Sequence, residues 1–329
     1  MSDEYTCSYG SKLLRKHTLA LLQEVEGVRL AEDIECIHRM RVASRRLRAA
    51  LPLFRDCFPE KKWSAFSAQI RQITRSLGAA RDTDVQIDKL KQTLSSLPEK
   101  RYAPGIRRLI LRLSQRRAKL QTKVNRALER LTESGTVDEM LSAFETILSS
   151  ATEEPPISAL FYRRSYEAVS RCLNAFLSYE THLLDPLRVE ELHAMRIAAK
   201  HLRYTMEIFA PSYPDELKIP LQIIRKTQEA LGLIHDCDVW EMFLTEFIED
   251  ERKRVIAFYG KSAPFNLLLP GLEYFRTARL EERKLAYESF LQDWKSWKKQ
   301  NVWENLLFTV QKPVSFLGQP IYPSISHSP

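Results

Sequence analysis

The chain repeats itself once, and this repeat constrains its fold more than any other feature of the sequence. Residues 38–48 (HRMRVASRRLR) return as residues 193–203 (HAMRIAAKHLR) at an offset of 155 residues. Residues 77–85 (LGAARDTDV) return as residues 231–239 (LGLIHDCDV) at an offset of 154 residues. Two matched segments in the same order, at nearly the same offset, indicate two copies of one unit.

The repeat predicts two halves and a tail. The break between the copies falls in the segment TEEPP at 152–156, and the sequence beyond 312 is rich in proline and serine. That composition is typical of an unstructured terminus. We therefore expect a first half at 1–153, a second half at 154–311 and a disordered tail at 312–329.

Each copy has the sequence pattern of a set of helices. Apolar residues recur three and four positions apart, and no stretch sustains the period of two that a strand needs. Only 9 of the 329 residues are glycine, against about 7% in average proteins, which favours long elements. Gly78 and Gly232 are expected at a helix end or at a close contact. The two halves are expected to be all-α helical bundles. The predicted helices are 11–26, 35–57, 61–77, 82–97, 104–133, 137–150, 157–179, 188–210, 215–231, 236–259, 264–299 and 302–311.

The first matched segment carries a stripe of cations when it is placed on a helix. Positions +0, +3, +7 and +10 lie on one side, and in both copies they hold a histidine followed by basic residues. Neighbouring like charges cost roughly 0.2–0.5 kcal/mol per pair, so we infer that an external anion relieves the repulsion. Arginine suits phosphate because its planar fork donates two parallel hydrogen bonds. The candidate anion-binding residues are His38, Arg41, Arg45 and Arg48 in the first copy and His193, Arg196, Lys200 and Arg203 in the second.

Further charged residues extend or support these stripes. Additional binding candidates are Arg46, beside the first stripe, and Arg112, Arg116, Arg279 and Arg283 on one later helix of each copy. The second matched segment supplies Asp82, Asp84, Asp236 and Asp238. These carboxylates are expected to cap the first turn of a following helix. The alternative is that they brace an arginine of the stripe.

Charge and motifs favour a binding protein over an enzyme. The net charge of +8 fits an anionic polymer as partner. Nucleic acid is the rival polymer, but base binding calls for aromatic residues among the cations, and the stripes have only Tyr204 beside Arg203. His235-Asp236 is similar to the metal-binding pair of phosphohydrolases, which leaves a metal-dependent phosphohydrolase as a second alternative. The first copy has Arg81 in place of His235, so we expect no catalytic residues, no metal and no cofactor.

The cysteines and the absence of targeting signals predict a cytoplasmic protein. The five cysteines are scattered without a CxxC pair, which argues against a disulfide framework and favours reduced thiols. The N-terminus MSDEYTCSYG lacks the features of a signal peptide. No stretch reaches the ~18 apolar residues of a membrane span.

The chain resembles the CHAD family, which is named for its histidine-bearing α-helical domain. The resemblance rests on the two histidine-led basic segments at 38–48 and 193–204 and on the two LG…D.DV segments, and it covers about 9–310. It implies two helical bundles related by a pseudo-two-fold axis around a basic central groove or pore. It also implies inorganic polyphosphate as the ligand of both stripes, an association with polyphosphate granules, and no catalytic activity. His201 departs from the usual arginine of the family, which predicts a weaker second stripe.

Overall fold

Eleven α-helices make up most of the described chain, and no strand occurs in it. The computed structural model describes residues 3–31, 33–151, 156–213 and 215–316. The all-α prediction is confirmed. The helices are α1 (Glu4–Leu22), α2 (Val25–Leu30), α3 (Ile34–Ala50), α4 (Glu60–Ser95), α5 (Ala103–Glu133), α6 (Thr136–Ser150), α7 (Ala159–Leu177), α8 (Val189–Phe209), α9 (Lys218–Tyr259), α10 (Leu269–Lys299) and α11 (Val302–Phe316).

The two longest helices run straight through the glycines of the repeat. Gly78 lies inside the 36-residue α4 and Gly232 inside the 42-residue α9, so the predicted helix ends at these glycines are wrong. A glycine inside a helix costs about 1 kcal/mol relative to alanine. Buried apolar residues continue at helical spacing on both sides of Gly78, from Ile73 to Ala80, and their packing outweighs that cost.

The main hydrophobic core draws on both sequence halves. Phe54 of the first half and Phe161 and Phe209 of the second half are fully buried in one cluster. The ring of Tyr9 lies 4.9 Å from that of Phe161, and its hydroxyl donates to the carbonyl of Ile208. The boundary between the halves at 153 and their pseudo-two-fold symmetry stay predictions. The main hydrophobic core contains residues of both halves.

A second contact between the halves forms where α5 crosses α10. Each helix begins with a Pro-Gly pair, which places Gly105 and Gly271 at the crossing. A Cβ atom on Gly105 would lie 2.3 Å from the carbonyl oxygen of Leu268, and one on Gly271 would lie 2.0 Å from that of Tyr102. Only glycine allows the two backbones to approach this closely.

Two expectations about the ends of the chain need correction. Cys7 of α1 and Cys57 form a disulfide, with Cα atoms 5.3 Å apart, so the expectation that all thiols are reduced is wrong for this pair. The helix α11 continues through Pro313 to Phe316, so 312–316 is helical and not disordered. The remainder of the predicted tail, 317–329, and most of the predicted break, at 152–155, lie outside the described residues.

No helix in the described ranges combines the length and the apolar character needed to cross a membrane.

Candidate functional site

The cationic faces of α3 and α8 meet at one cavity because these two helices contact each other. Each helix buries its apolar side, with Met40 and Leu47 on α3 and Met195 and Leu202 on α8 fully or nearly fully enclosed. The remaining faces border a cavity of about 230 Å³, which we call the central basic cavity. Its lining residues are Arg41, Arg45, Arg48, Ala49, Thr74, Arg75, Lys200, His201 and Tyr204.

The basic surface continues beyond the central basic cavity along α4. Arg48 and His201 also line a neighbouring cavity of about 440 Å³, together with Arg71. Arg55 lies there as well, but it is paired with Glu60 at 2.8 Å. The two cavities therefore form one basic path that shares Arg48 and His201.

Sequence reasoning missed the two arginines that α4 contributes. Arg71, Arg75, Gly78 and Asp82 are spaced four, three and four residues apart, so they lie on one face of a continuous helix. The signal was present in the sequence. The predicted helix 61–77 holds both arginines, but only the contact of α4 with α3 brings them beside the stripe.

The continuous helices explain the LG…D segments in both copies. A Cβ on Gly78 would lie 3.9 Å from Nη2 of Arg41, and the carboxylate of Asp82, one turn later, forms an ion pair with that same nitrogen at 3.1 Å. In the second copy, a Cβ on Gly232 would lie 3.9 Å from Nε of Arg196. The glycine lies beside the guanidinium in both copies, and the aspartate one turn later offsets its charge.

Asp236 completes this arrangement in the second copy. Its negative charge acts on Arg196, and Asp82 acts on Arg196 as well. Burial raises the pKa of Asp236 and the nearby guanidinium groups lower it, with a net rise. The capping role predicted for the aspartates is wrong because Asp82 and Asp236 lie within helices. The alternative role, bracing an arginine, matches their positions.

Burial makes two cations of the central basic cavity, Arg41 and Lys200, costly to keep charged. It lowers the pKa of Arg41 and, with the guanidinium groups of Arg45 and Arg196 nearby, lowers the pKa of Lys200 to about 8. The Nε of Arg41 is buried and has no hydrogen-bond partner within the described part of the chain. An unpaired buried donor is unfavourable, so an anion entering the cavity would relieve both the repulsion and the unmet hydrogen bond.

The histidines of the stripes are close to neutral at pH 7. Burial, followed by nearby cations, lowers the pKa of His38, of His193 and of His201. His193 lies with its Nδ1 atom 2.9 Å from that of His235, whose pKa burial and Arg196 lower to about 4. One ring of this pair must donate and the other accept. The Nδ1 of His193 is therefore already engaged.

Five residues predicted on or beside the stripes do not line the central basic cavity: His38, Arg46, His193, Arg196 and Arg203. Arg46 follows Arg45 on α3 but is exposed and acts on His17 of α1. Arg203 lies over the ring of Tyr204 at 4.7 Å and faces Glu207 at 3.5 Å.

The cations predicted on α5 and α10 are held mainly by acidic residues or lie elsewhere. Arg112 binds Glu251 at 2.9 Å. Glu251 lies about 22 Å along α9 from Asp236, at a rise of about 1.5 Å per residue. Arg116 is exposed and lines a cavity with Arg112. The structure does not place Arg112 and Arg116 beside the cationic stripes of α3 and α8.

Arg283 and the remaining aspartates form ion pairs between helices, while Arg279 forms one within α10. Arg279 pairs with Glu282, and Arg283 pairs with Asp238 and donates to the carbonyl of Pro186 at 2.8 Å. Asp84 binds Arg117 of α5 at 2.7 Å, a partner that sequence reasoning did not single out. The pair of Asp84 and Arg117 fixes α4 against α5. The pair of Asp238 and Arg283 fixes α9 against α10.

The His235-Asp236 dipeptide has protein partners in the described structure, His193 for the imidazole and Arg196 for the carboxylate. Within the described ranges, no group of three or more His, Cys, Asp or Glu residues is arranged to hold a metal ion.

Relatives of this chain are found among curated proteins of Mycobacterium tuberculosis. The uncharacterized protein MT2285 of strain CDC 1551 / Oshkosh is 28% identical over 178 residues, which are 53% of this chain and 34% of that protein. The uncharacterized protein Rv2226 of strain ATCC 25618 / H37Rv matches with the same identity and coverage. The matched region therefore spans about a third of the length of these relatives.

Solved structures share the fold. The crystal structure of the CHAD domain from the plant Ricinus communis aligns with a TM-score of 0.56 and 24% identity, covering 86% of this chain and 91% of that chain. PptA from Streptomyces chartreusis aligns with a TM-score of 0.55 and 14% identity, covering 88% and 99%. The sequence profile of the CHAD domain matches residues 12–245, which is most of the chain and includes both cationic stripes. This chain therefore belongs to the CHAD domain family.

Proposed function

We propose that this chain binds inorganic polyphosphate in the central basic cavity, as a binding module with no catalytic step of its own. One observation carries the proposal: five cationic side chains line this cavity, and no carboxylate is among its described lining residues. Arginines that are held close together and partly buried bind phosphate oxygens more strongly than exposed ones do. Membership of the CHAD family supports the same ligand.

The site favours a polymer of bare phosphates over nucleic acid. Nucleobases bind by stacking on exposed aromatic side chains among the cations. The one aromatic residue of the cavity, Tyr204, is 7% exposed, and its ring is covered by Arg203. A linear phosphate chain needs only charge and hydrogen-bond donors, which the path from Arg41 past Arg48 to Arg71 supplies.

The binding experiment uses two adjacent arginines of α3. Arg45 lines the central basic cavity and Arg46 lies outside it, so Arg45→Glu and Arg46→Glu introduce the same charge change at neighbouring positions. We expect Arg45→Glu to weaken polyphosphate binding at least about tenfold and Arg46→Glu to change it little, by fluorescence anisotropy at fixed salt. Equal losses in the two variants would refute a specific site and indicate general attraction to a basic surface.

Competition and incubation assays test the rival functions. Unlabelled polyphosphate should displace labelled single-stranded RNA more effectively than RNA displaces polyphosphate at equal charge. The protein should release no orthophosphate from polyphosphate with Mg²⁺ or Mn²⁺. Release that is lost in Asp236→Ala would establish a phosphohydrolase instead.

The cellular location belongs to the same proposal. We propose that the chain is cytoplasmic and gathers at polyphosphate granules. A fluorescent fusion should colocalise with stained granules, and the Arg45→Glu fusion should spread through the cell while the Arg46→Glu fusion stays on granules.

A further inference from the structure

A second cluster of arginines surrounds one fully buried carboxylate at the far end of α9. The side chain of Glu251 has no exposed surface. It accepts hydrogen bonds from Arg108 at 2.8 Å and from Arg112 at 2.9 and 3.0 Å. Arg254, one turn further along α9, donates to it at 3.1 Å.

This cluster keeps an excess of positive charge. Burial alone would raise the pKa of Glu251, but the hydrogen bonds from Arg112 and Arg254 outweigh it and the pKa is lowered. The carboxylate is therefore ionised at neutral pH. Arg254 also pairs with Asp250 at 3.4 Å. Two carboxylates against three guanidinium groups leave the cluster with one net positive charge. Within the described ranges, only the Nη1 atom of Arg108 is paired.

Two exposed aromatic rings complete the wall of the same cavity. Phe258 is 80% exposed and Tyr259 is 54% exposed, and their rings meet edge to face with centroids 4.8 Å apart. They line a cavity of about 530 Å³ with Arg108, Arg112, Glu251 and Arg254, which we call the distal cavity. Large aromatic side chains left in water at a cationic cavity mark a site for a ligand with a flat ring.

We propose that the distal cavity binds a nucleotide, with phosphate oxygens on Arg108 and Arg254 and the base stacked on Phe258, the more exposed of the two rings. Arginine forks recognise phosphate, and aromatic faces accept any base. The volume is in the range of small-molecule sites. The central basic cavity has the opposite character, because its one aromatic ring is covered.

The distal cavity also gives a role to cations that the central site leaves unused. Arg112 and Arg254 line a further cavity of about 410 Å³ with Arg116 and Lys119, and two carboxylates, Glu246 and Asp250, line it as well. A chain of phosphates attached to the nucleotide can extend toward these side chains. Glu251 of the distal cavity lies about 22 Å along α9 from Asp236, and the distal cavity shares no lining residue with the central basic cavity. The nucleotide and polyphosphate can therefore bind at the same time.

Photocrosslinking with 8-azido-ATP locates the nucleotide directly. Trypsin cuts after Arg254 and Lys261, which isolates residues 255–261 with both aromatic rings on one peptide. We expect the crosslink on this peptide, reduced by excess ATP and unaffected by Arg45→Glu. Crosslinks confined to peptides of α3 or α8 would overturn the proposal, because they would place the nucleotide in the central basic cavity.

Affinity measurements separate the base from the phosphates. Phe258→Ala removes one exposed ring, and Phe308→Ala removes another, 69% exposed, on α11. We expect Phe258→Ala to weaken ATP binding at least about fivefold, Phe308→Ala to leave it unchanged, and inorganic tripolyphosphate to bind the two variants equally. Equal ATP affinity in the two variants overturns the proposal.

Oligoadenylate in the same titration identifies the source of the nucleotide. Binding of ATP as tightly as oligoadenylate indicates a free nucleotide, and tighter binding of oligoadenylate that is sensitive to Phe258→Ala indicates RNA. Absence of binding to both ligands would refute the site and leave the exposed rings as a contact for a partner protein.

Discussion

The guanidinium of Arg41 lies 3.1 Å from the carboxylate of Asp82. Asp82 is 65% exposed while the Arg41 side chain is 19% exposed. Asp82 therefore lies at the edge of the cationic cluster and pairs with Arg41, which is more buried. This pair makes Arg41→Glu a poor probe of binding, because the new carboxylate would face Asp82 and disturb the fold.

Neutralising Asp82 should strengthen anion binding. Asp82→Asn removes a negative charge next to Arg41, and exposed ion pairs contribute only about 0–1 kcal/mol to stability. We expect polyphosphate affinity to rise about two- to fivefold, with little change in melting temperature. Asp88→Asn, on the same helix, is the control, since Asp88 accepts from Gln92. Weaker binding in Asp82→Asn would show that Asp82 acts mainly by positioning Arg41.

Polyphosphate binding should weaken as pH rises through the pKa of Lys200. In the free protein this pKa is about 8 because of burial and the surrounding arginines. A bound polyanion favours the charged amine and raises the pKa, so binding above pH 8 must take up a proton. Affinity should therefore be nearly flat in the mildly alkaline range below pH 8 and fall above it, by at most about tenfold per pH unit.

The control for this pH dependence is Lys200→Arg, since arginine stays charged throughout the range. Titration calorimetry at pH 7, 8 and 9 should show a smaller decline for this variant than for the parent. Protonation of polyphosphate itself affects the measurements on the parent and on the variant equally. Parallel declines would show that Lys200 does not control the pH dependence.

Alanine should be poorly tolerated at the α5–α10 crossing and well tolerated at Gly78 of α4. A Cβ on Gly105 would meet a backbone carbonyl at 2.3 Å, so Gly105→Ala should destabilise by at least about 1–3 kcal/mol. A Cβ on Gly78 meets Arg41 at an ordinary 3.9 Å. Gly78→Ala should raise stability by up to about 1 kcal/mol through helix propensity. Thermal melts of both variants check this, and equal shifts would contradict the close crossing.

Reduction should destabilise the protein through the bond between Cys7 and Cys57. This bond closes a loop with a sequence separation of 50, for which chain entropy predicts about 4 kcal/mol of stabilisation. We expect a reductant to lower the melting temperature of the parent and to have no effect on Cys7→Ser/Cys57→Ser. Thiol titration of the unreduced, denatured chain should find three of the five cysteines free. A count of five would contradict the disulfide.

The sequence by itself determined the helical class, the family resemblance and half of the central basic cavity. Helical periodicity needs only neighbours along the chain, so the stripe from Arg41 to Arg48 could be placed on one face of α3 without knowledge of the fold. Lys200 followed in the same way on α8. These predictions succeeded because spacing along a helix fixes which side chains share a face.

Tertiary structure alone decided which cations share a cavity. Arg45 and Arg46 are adjacent in the chain, and Arg112 recurs at the same helical spacing as the stripes, yet only Arg45 of the three lines the central basic cavity. Arg75 lines it because α4 packs against α3, a contact between helices that spacing along α4 does not reveal. Burial and ion pairing arise between helices, so their partners, such as Glu251 for Arg112, cannot be read from spacing along one of them.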